Sequence, residues 1–275
     1  MAQPSIRINL SNLGLRIVSA AVILPVVMTA LWYGDWVFAA LLGMFGGLMC
    51  WEWSSLCDAR ATAEQGVMIV AATMAPVLTQ FGSGDVAILV VGGGGVLVLL
   101  IALFRRAANP LLLSLGLPYI GVTMIAAVWL RADTATGFTT LVWIILIVVA
   151  TDVGAYFTGR GVGGPKLAPR VSPNKTWSGL IGGMSCAGLT GLAVGYAYTG
   201  SASPALGALS VALGCVAQGG DLIESGLKRH FNVKDASQLI PGHGGFLDRF
   251  DGYLTVMPVT ALMAQVLGGS PIAWQ

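Results

Sequence analysis

Charge is the scarcest commodity in this 275-residue sequence: 14 Lys or Arg and 12 Asp or Glu leave only 9% of positions charged, against 56% hydrophobic. So thin a polar complement excludes an ordinary soluble domain, and it offers no basic surface for nucleic acid. The chain reads as an integral membrane protein whose first partner is the lipid bilayer. Cysteine is sparse too. Cys50, Cys57, Cys186 and Cys215 sit in or beside apolar stretches without CxxC spacing. That pattern argues against a zinc site or a disulfide framework and leaves them as small buried hydrophobes. The net charge of +2 carries little information, whereas the placement of the charges carries much.

Uncharged runs cover residues 17–34, 65–84, 86–104, 107–130, 134–151, 176–220 and 252–275. A membrane-spanning helix needs about 20 residues, so the 45-residue run at 176–220 is read as two spans divided near 198–204. Residues 36–57 add another span despite Glu52. The expectation is an all-α polytopic membrane protein with about nine transmembrane helices. The first span is taken as an uncleaved helix rather than a signal peptide, because it is longer than a typical apolar signal region and more spans follow. With the N-terminus cytoplasmic, thirteen of the fourteen cations fall on the inner side and Arg131 alone falls outside, as the positive-inside rule requires. Any site built on the inner loops would then lie on the cytoplasmic face of a bacterial-type inner or plasma membrane.

The two halves differ. Residues 1–131 read as five spans with little chemistry, and residues 132–275 as a catalytic region with cytoplasmic loops at 159–176 and 222–250. Gly92–Gly95 inside the fourth span reads as a packing face, since no cation lies near it. Glu52, near the inner end of its span between Trp51 and Trp53, reads equally well as an interfacial anchor or a functional group.

What charge there is gathers in one place. The 32 positions from Asp221 to Gly252 hold five of the twelve acids, four of the fourteen Lys/Arg and both histidines. Asp221, Glu224, Ser225 and Lys228 follow helical spacing and should share one face of a short helix. Asp248 and Asp251, three apart, can likewise point together. Pro241-Gly242-His243-Gly244-Gly245 between them is a permissive loop whose N–H groups can approach an anion. Asp152 lies within the sixth span, read as 134–158, about six residues from its inner end, with Tyr156 on the same face. After it, 159–179 carries Arg160, Lys166, Arg170 and Lys175 with Ser172 and Thr176 and no acid, an anion-binding composition. Carboxylates, cations and a glycine loop at one membrane level point to metal-assisted chemistry on a phosphate.

These residues resemble the phosphatidate cytidylyltransferases, the CDP-diacylglycerol synthases. The family pattern is matched by Ser225, Lys228-Arg229, Lys234-Asp235, Pro241-Gly242-His243-Gly244-Gly245, Asp248-Arg249 and Asp251, preceded by Gln218-Gly219-Gly220-Asp221-Leu222-Ile223-Glu224. Asp152, Tyr156, Gly159-Arg160, Lys166-Leu167, Pro169, Ser172-Pro173 and Lys175-Thr176 are similar to an upstream family pattern, while Gly164 stands where Lys is usual and Ser178 where Glu is usual. The resemblance covers roughly 140–260.

It implies transfer of CMP from CTP to phosphatidic acid, giving CDP-diacylglycerol and pyrophosphate in phospholipid biosynthesis. The implied catalytic acids are Asp221, Glu224, Asp248 and Asp251, with Asp221 and Asp248 as metal ligands. Asp152, Arg160, Lys166, Ser172, Lys175, Thr176, Ser225, Lys228, Arg229, Lys234, Gly242, His243, Gly244 and Arg249 would bind substrate. Oxygen ligands suit a hard ion such as Mg²⁺, with a second metal or a monovalent cation beside it. A homodimer is implied by the resemblance alone. Two other readings are a CTP-dependent polyprenol or lipid kinase, which would release CDP instead of pyrophosphate, and, from another class, an anion transporter, which would place its charges near the bilayer midplane.

Overall fold

The computed structural model describes residues 10–240 and 244–274. Among them are nine long helices: α1 (Leu10–Tyr33), α2 (Asp35–Cys57), α3 (Thr62–Gln80), α4 (Gly84–Phe104), α5 (Pro110–Arg131), α6 (Gly137–Gly161), α7 (Trp177–Thr199), α8 (Pro204–His230) and α9 (Leu247–Leu267). Seven of the nine are long and apolar enough to cross a membrane. The other two are α1, whose apolar part is described only over Ala21–Tyr33, and α3, which carries Glu64, Gln65 and Gln80. A two-stranded antiparallel sheet, β1 (Lys166–Ala168) with β2 (Ser172–Thr176), interrupts the helices between α6 and α7. A short 3-10 turn, Pro271–Trp274, follows α9.

Local chemistry explains most boundaries. The expected break in the 45-residue apolar run falls where α7 ends at Thr199 on Gly200, in the left-handed conformation with φ 76°, and α8 begins on the Ser203 cap with Pro204 in its first turn. The polar stretch beginning at Asp221 is not a separate short helix. Residues 222–230 continue α8 and 247–250 open α9, so the segment between these helices is shorter than expected, 231–246. Similarly, α6 runs three residues past the expected end of the sixth span, which places Asp152 roughly 14 Å from the helix terminus at ordinary helical rise.

Consecutive helices pack side by side from α2 to α5 and from α6 to α9. The two runs are joined by α5 packing on α6 and through α9, which also touches α2, α5 and α6. Its fully buried Leu247 belongs to the same core as Met49, Ile120, Trp143 and Ile147.

Lipid supplies no hydrophobic drive between helices, so close backbone approach at small residues matters. α7 is built for this. A Cβ on Gly182 would lie 2.1 Å from Thr158 Oγ1 of α6, and one on Gly191 would lie 2.1 Å from Ser210 Oγ and 2.7 Å from the Leu206 carbonyl of α8. The glycine run of α4 is partly such a face: Gly94 meets Leu117 and Gly95 meets Pro118, while Gly92 and Gly93 face open space. Of the cysteines, Cys50 is buried, Cys57 and Cys186 are half-buried and Cys215 is exposed, so burial is the rule for only one of them.

Two charged groups outside the main cluster are structural. Arg131, the exception to the charge bias, donates to the Leu31 and Trp32 carbonyls at 2.8 and 3.2 Å and so closes the end of α1. Arg105 bridges Asp58 at 2.7 Å and the buried Glu64 at 2.8 Å, tying α4 to the α2–α3 turn. The Arg60 backbone N–H, then Arg105, hold the Asp58 carboxyl below its ordinary range.

Gly191→Val should lower the thermal unfolding midpoint in detergent, at a cost of about 1–3 kcal/mol for overpacking. Gly92→Ala, where a Cβ meets nothing, should leave the midpoint unchanged. Equal midpoints for wild type and Gly191→Val would show that the α7–α8 contact does not limit stability.

Candidate active site

At one end of the bundle α6, α8, α9 and the 231–246 segment enclose a cavity of about 420 Å³. Asp152 and Val148 reach it from α6, Asp221 and Lys228 from α8, Asp235 from the connecting segment, and Asp248, Arg249, Asp251 and Tyr253 from α9. Helical spacing produces this grouping: Asp221 and Lys228 are two turns apart on one face, and Asp248 and Asp251 nearly one turn apart on another.

Two lysines hold the acids in place. Lys175, on β2, forms an ion pair of 2.6 Å with Asp221 Oδ2 and donates to Gln218 Oε1 at 3.1 Å. Gln218 in turn donates to Asp152 Oδ1 at 3.3 Å, so a polar chain joins the hairpin, α8 and α6. Ser225 donates to Asp221 Oδ1 at 3.2 Å. Lys228 lies between Glu224 Oε1 at 3.0 Å and Asp248 Oδ1 at 2.7 Å. Asp248 also accepts the backbone N–H of Gly245 at 2.8 Å and of Ala236 at 3.0 Å, which binds the connecting segment to the first turn of α9. Asp251 accepts the Gly252 N–H at 2.7 Å.

Several expected site residues have other surroundings. Glu224 is only 2% exposed and lies behind Lys228, outside the cavity lining, although its spacing suggested a face shared with Asp221. Thr176 is buried as the N-cap of α7, accepting from the Gly179 N–H at 3.1 Å. Ser178 bonds to Thr176 and to the Gly163 carbonyl, so it closes the base of the hairpin. Gly164 adopts φ 104°, a conformation that penalises any side chain, which gives a backbone reason for glycine there. Arg160 is exposed and donates to Tyr156 Oη at 2.9 Å. Arg229, also exposed, donates to the Val233 carbonyl at 3.1 Å. Lys166 and Lys234 are exposed, Ser172 is half-buried at the start of β2, and none of these three lines the cavity. Gly242 and His243 lie outside the described residues. Around them, Ile240 and Gly244 exchange backbone hydrogen bonds of 2.8 and 3.1 Å, and Gly244 has φ 88°.

Three contributors escaped assignment from sequence. Gln218, 5% exposed, links three elements; its place in the matched pattern was a signal, but nothing in its spacing names its partners. Tyr253 lines the cavity from one turn beyond the acids. Glu52, fully buried, bonds to the segment that enters α9.

Among the described residues no three His, Cys, Asp or Glu side chains form a metal centre by themselves. The donor chemistry nevertheless fits a hard cation. Five acids line the cavity against two cations, all potential ligands are oxygens, and such an excess repels a polyphosphate unless a cation intervenes.

A second cavity, of about 330 Å³, lies among α1, α2, α5, α6 and α9. Its walls are almost wholly aliphatic or aromatic, including Leu31, Phe38, Leu42, Met124 and Leu141. Arg249 and Tyr253 line both cavities.

A model of the cytidylyltransferase family matches residues 14–267. A phosphatidate cytidylyltransferase of Brucella suis biovar 1 (strain 1330) is 36% identical over 94% of this chain and 95% of its own length. One from Haemophilus influenzae is 32% identical over 88% of this chain and 95% of its own. One from Staphylococcus aureus (strain COL) is 39% identical over a shorter part, 54% of this chain and 56% of that one.

Lys228→Met should strip two carboxylates of their shared cation and lower stability in detergent by about 3–5 kcal/mol, the ordinary cost of breaking a buried pair. Adding Glu224→Gln should restore much of the midpoint. A Lys228→Met protein as stable as wild type would show that the Glu224–Lys228–Asp248 group is not a buried charge pair.

Proposed function

The chain belongs to the cytidylyltransferase family, and from that membership and the paired cavities we infer that it transfers CMP from CTP to phosphatidate, yielding CDP-diacylglycerol and pyrophosphate. The observation that carries the reading is the shared wall: Arg249 and Tyr253 stand where an apolar cavity meets an acidic one. A substrate spanning both must be amphipathic, with chains on one side and a phosphate on the other.

An oxygen of the phosphatidate phosphate attacks the α-phosphorus of CTP. A new P–O bond forms as the bond to the β-phosphate breaks, and its electron pair leaves on pyrophosphate. The phosphatidate phosphate is ionised at neutral pH, so no side chain has to remove a proton. The protein's contribution is to bring two polyanions together and stabilise the charge that accumulates. Arg249, with a planar donor fork, suits the lipid phosphate at the junction. Lys175 and Lys228 supply fixed positive charge at the acids, and the exposed Lys166, Arg160, Arg229 and Lys234 are proposed to draw the anionic substrates toward them. Acyl chains lie along Leu42, Met124 and Leu141.

We propose Mg²⁺ as the cation, held by Asp221 and Asp248 with Asp251 beside them. Mg²⁺ is commonly bound by one or two carboxylates and completed by substrate phosphates, which suits a site without a full protein cage. When bound it would neutralise the triphosphate and polarise the phosphorus under attack. The bias of cations toward this end of the bundle supports a cytoplasmic site and N-terminus. A homodimer is proposed on the family resemblance alone. The kinase reading is disfavoured by the family match. Concentration of the cavity acids on α6, α8, α9 and the segment between the last two, with no matching set in the first half of the chain, disfavours the transporter.

Detergent-purified protein given CTP and Mg²⁺ should release pyrophosphate and form a CDP-lipid with phosphatidate, and do neither with diacylglycerol or a polyprenol. Formation of CDP with a phosphorylated alcohol would overturn the reading in favour of a kinase. For orientation, protease should cut the exposed Arg170 in inverted membrane vesicles and spare it in right-side-out ones; the opposite pattern would place the site outside.

A further inference from the structure

Glu52 lies in α2, a hundred positions before Asp152, the first acid of the cavity, and is 0% exposed. A buried carboxylate must be compensated, yet among the described residues Glu52 forms no ion pair. Glu52 Oε1 accepts the Phe246 N–H at 2.8 Å and the Ser237 hydroxyl, and Oε2 accepts the Leu247 N–H at 2.7 Å. Phe246 and Leu247 are the cap and first residue of α9, whose N–H groups have no partner within the helix. The Phe246 side chain makes no capping bond. A carboxylate from another helix therefore performs the capping, with the charge sign that a helix N-terminus favours.

Packing reinforces the grip. Phe45, two turns before Glu52 on α2, contacts the rings of Phe246 at 5.0 Å and Phe250 at 5.3 Å. Between Glu52 and Asp248 there is room only for a glycine: a Cβ on Gly245 would lie 2.8 and 2.9 Å from the Glu52 oxygens and 3.1 Å from Asp248 Oδ2. The segment entering α9 thus has its N–H groups held by two carboxylates, that of Gly245 by Asp248 and those of Phe246 and Leu247 by Glu52. The residues directly downstream, Asp248, Arg249 and Asp251, line the acidic cavity, whereas Glu52 does not.

We propose that Glu52 is a positioning residue of the active site, fixing the first turn of α9 so that Asp248, Arg249 and Asp251 face the cavity together. It touches no reacting group and acts through the backbone at Gly245 to Leu247. The kinetic consequence rests on the transferase reading; the structural one does not.

The test compares wild type with Glu52→Gln and Glu52→Ala in the full chain. Amide hydrogen exchange at Phe246 and Leu247 should accelerate by about tenfold or more in both variants, while α7 and α4 keep wild-type rates, as for a local opening. Turnover of CTP and phosphatidate should show kcat lowered by about tenfold or more with KM values changed less than about threefold, the pattern of lost transition-state alignment. Gly245→Ala should impair kcat alone, yet add little in the Glu52→Ala background, because both break the same contact. Wild-type exchange at 246–247 in Glu52→Gln overturns the proposal, as does exchange raised equally throughout the bundle, which would mark a general structural role. If Glu52→Gln fails to fold, Ser237→Ala, which removes one donor and leaves no unpaired charge, should still loosen 246–247 and lower kcat; unaltered behaviour there also overturns it. Wild-type protein that makes no CDP-lipid defeats the transferase reading and leaves the exchange result to judge Glu52.

Discussion

Carboxyl groups placed inside a membrane protein must be compensated, and the polar end of this bundle is arranged by that requirement. Unpaired, each would cost several kcal/mol. The solutions differ from acid to acid. Glu224 and Asp248 share the Lys228 ammonium, Asp221 has Lys175 and Ser225, and Asp152 has the Gln218 amide. Glu52 is satisfied by backbone N–H groups and a hydroxyl. Because Lys175–Asp221, Lys228–Asp248, Gln218–Asp152 and the bonds of Glu52 each cross from one element to another, satisfying the charges also joins α2, α6, α8, α9 and the β-hairpin. Stability and site geometry therefore have the same cause.

The apolar part of the structure meets a different constraint. Helices surrounded by lipid gain little from hiding aliphatic surface, so α7 approaches α6 and α8 through glycines that leave no gap. Where helices separate instead, between α1, α2, α5, α6 and α9, the space is lined with aliphatic and aromatic groups and ends at Arg249 and Tyr253. An amphipathic substrate needs both environments within one molecular length. The first two turns of α9 supply the boundary, carrying acids toward one cavity and an arginine and a tyrosine toward both.

Much of this was legible from local pattern. Apolar runs long enough to span a bilayer and glycine and proline at their breaks place the helices, including the division near 198–204. The scarcity of charge made its concentration at Asp152, Asp221 to Lys228 and Asp248 to Asp251 stand out. That they would share a level was an expectation from span order alone, and the structure brings them to one cavity. These inferences need only the helical rise and the thickness of a bilayer, which are the same for every sequence.

Which acid meets which cation was decided by the tertiary structure. Spacing put Glu224 beside Asp221, but the rotation of α8 against α9 buries Glu224 behind Lys228 and leaves Asp221 in the cavity. Thr176 had the composition of a phosphate ligand, yet the start of α7 uses it as a cap. Glu52 was ambiguous between anchor and function because its partners lie 185 to 195 residues away. Helical period fixes the face on which a side chain sits, but not the azimuth at which two distant helices meet. That angle follows from packing the whole bundle, and with it the pairing of every buried charge.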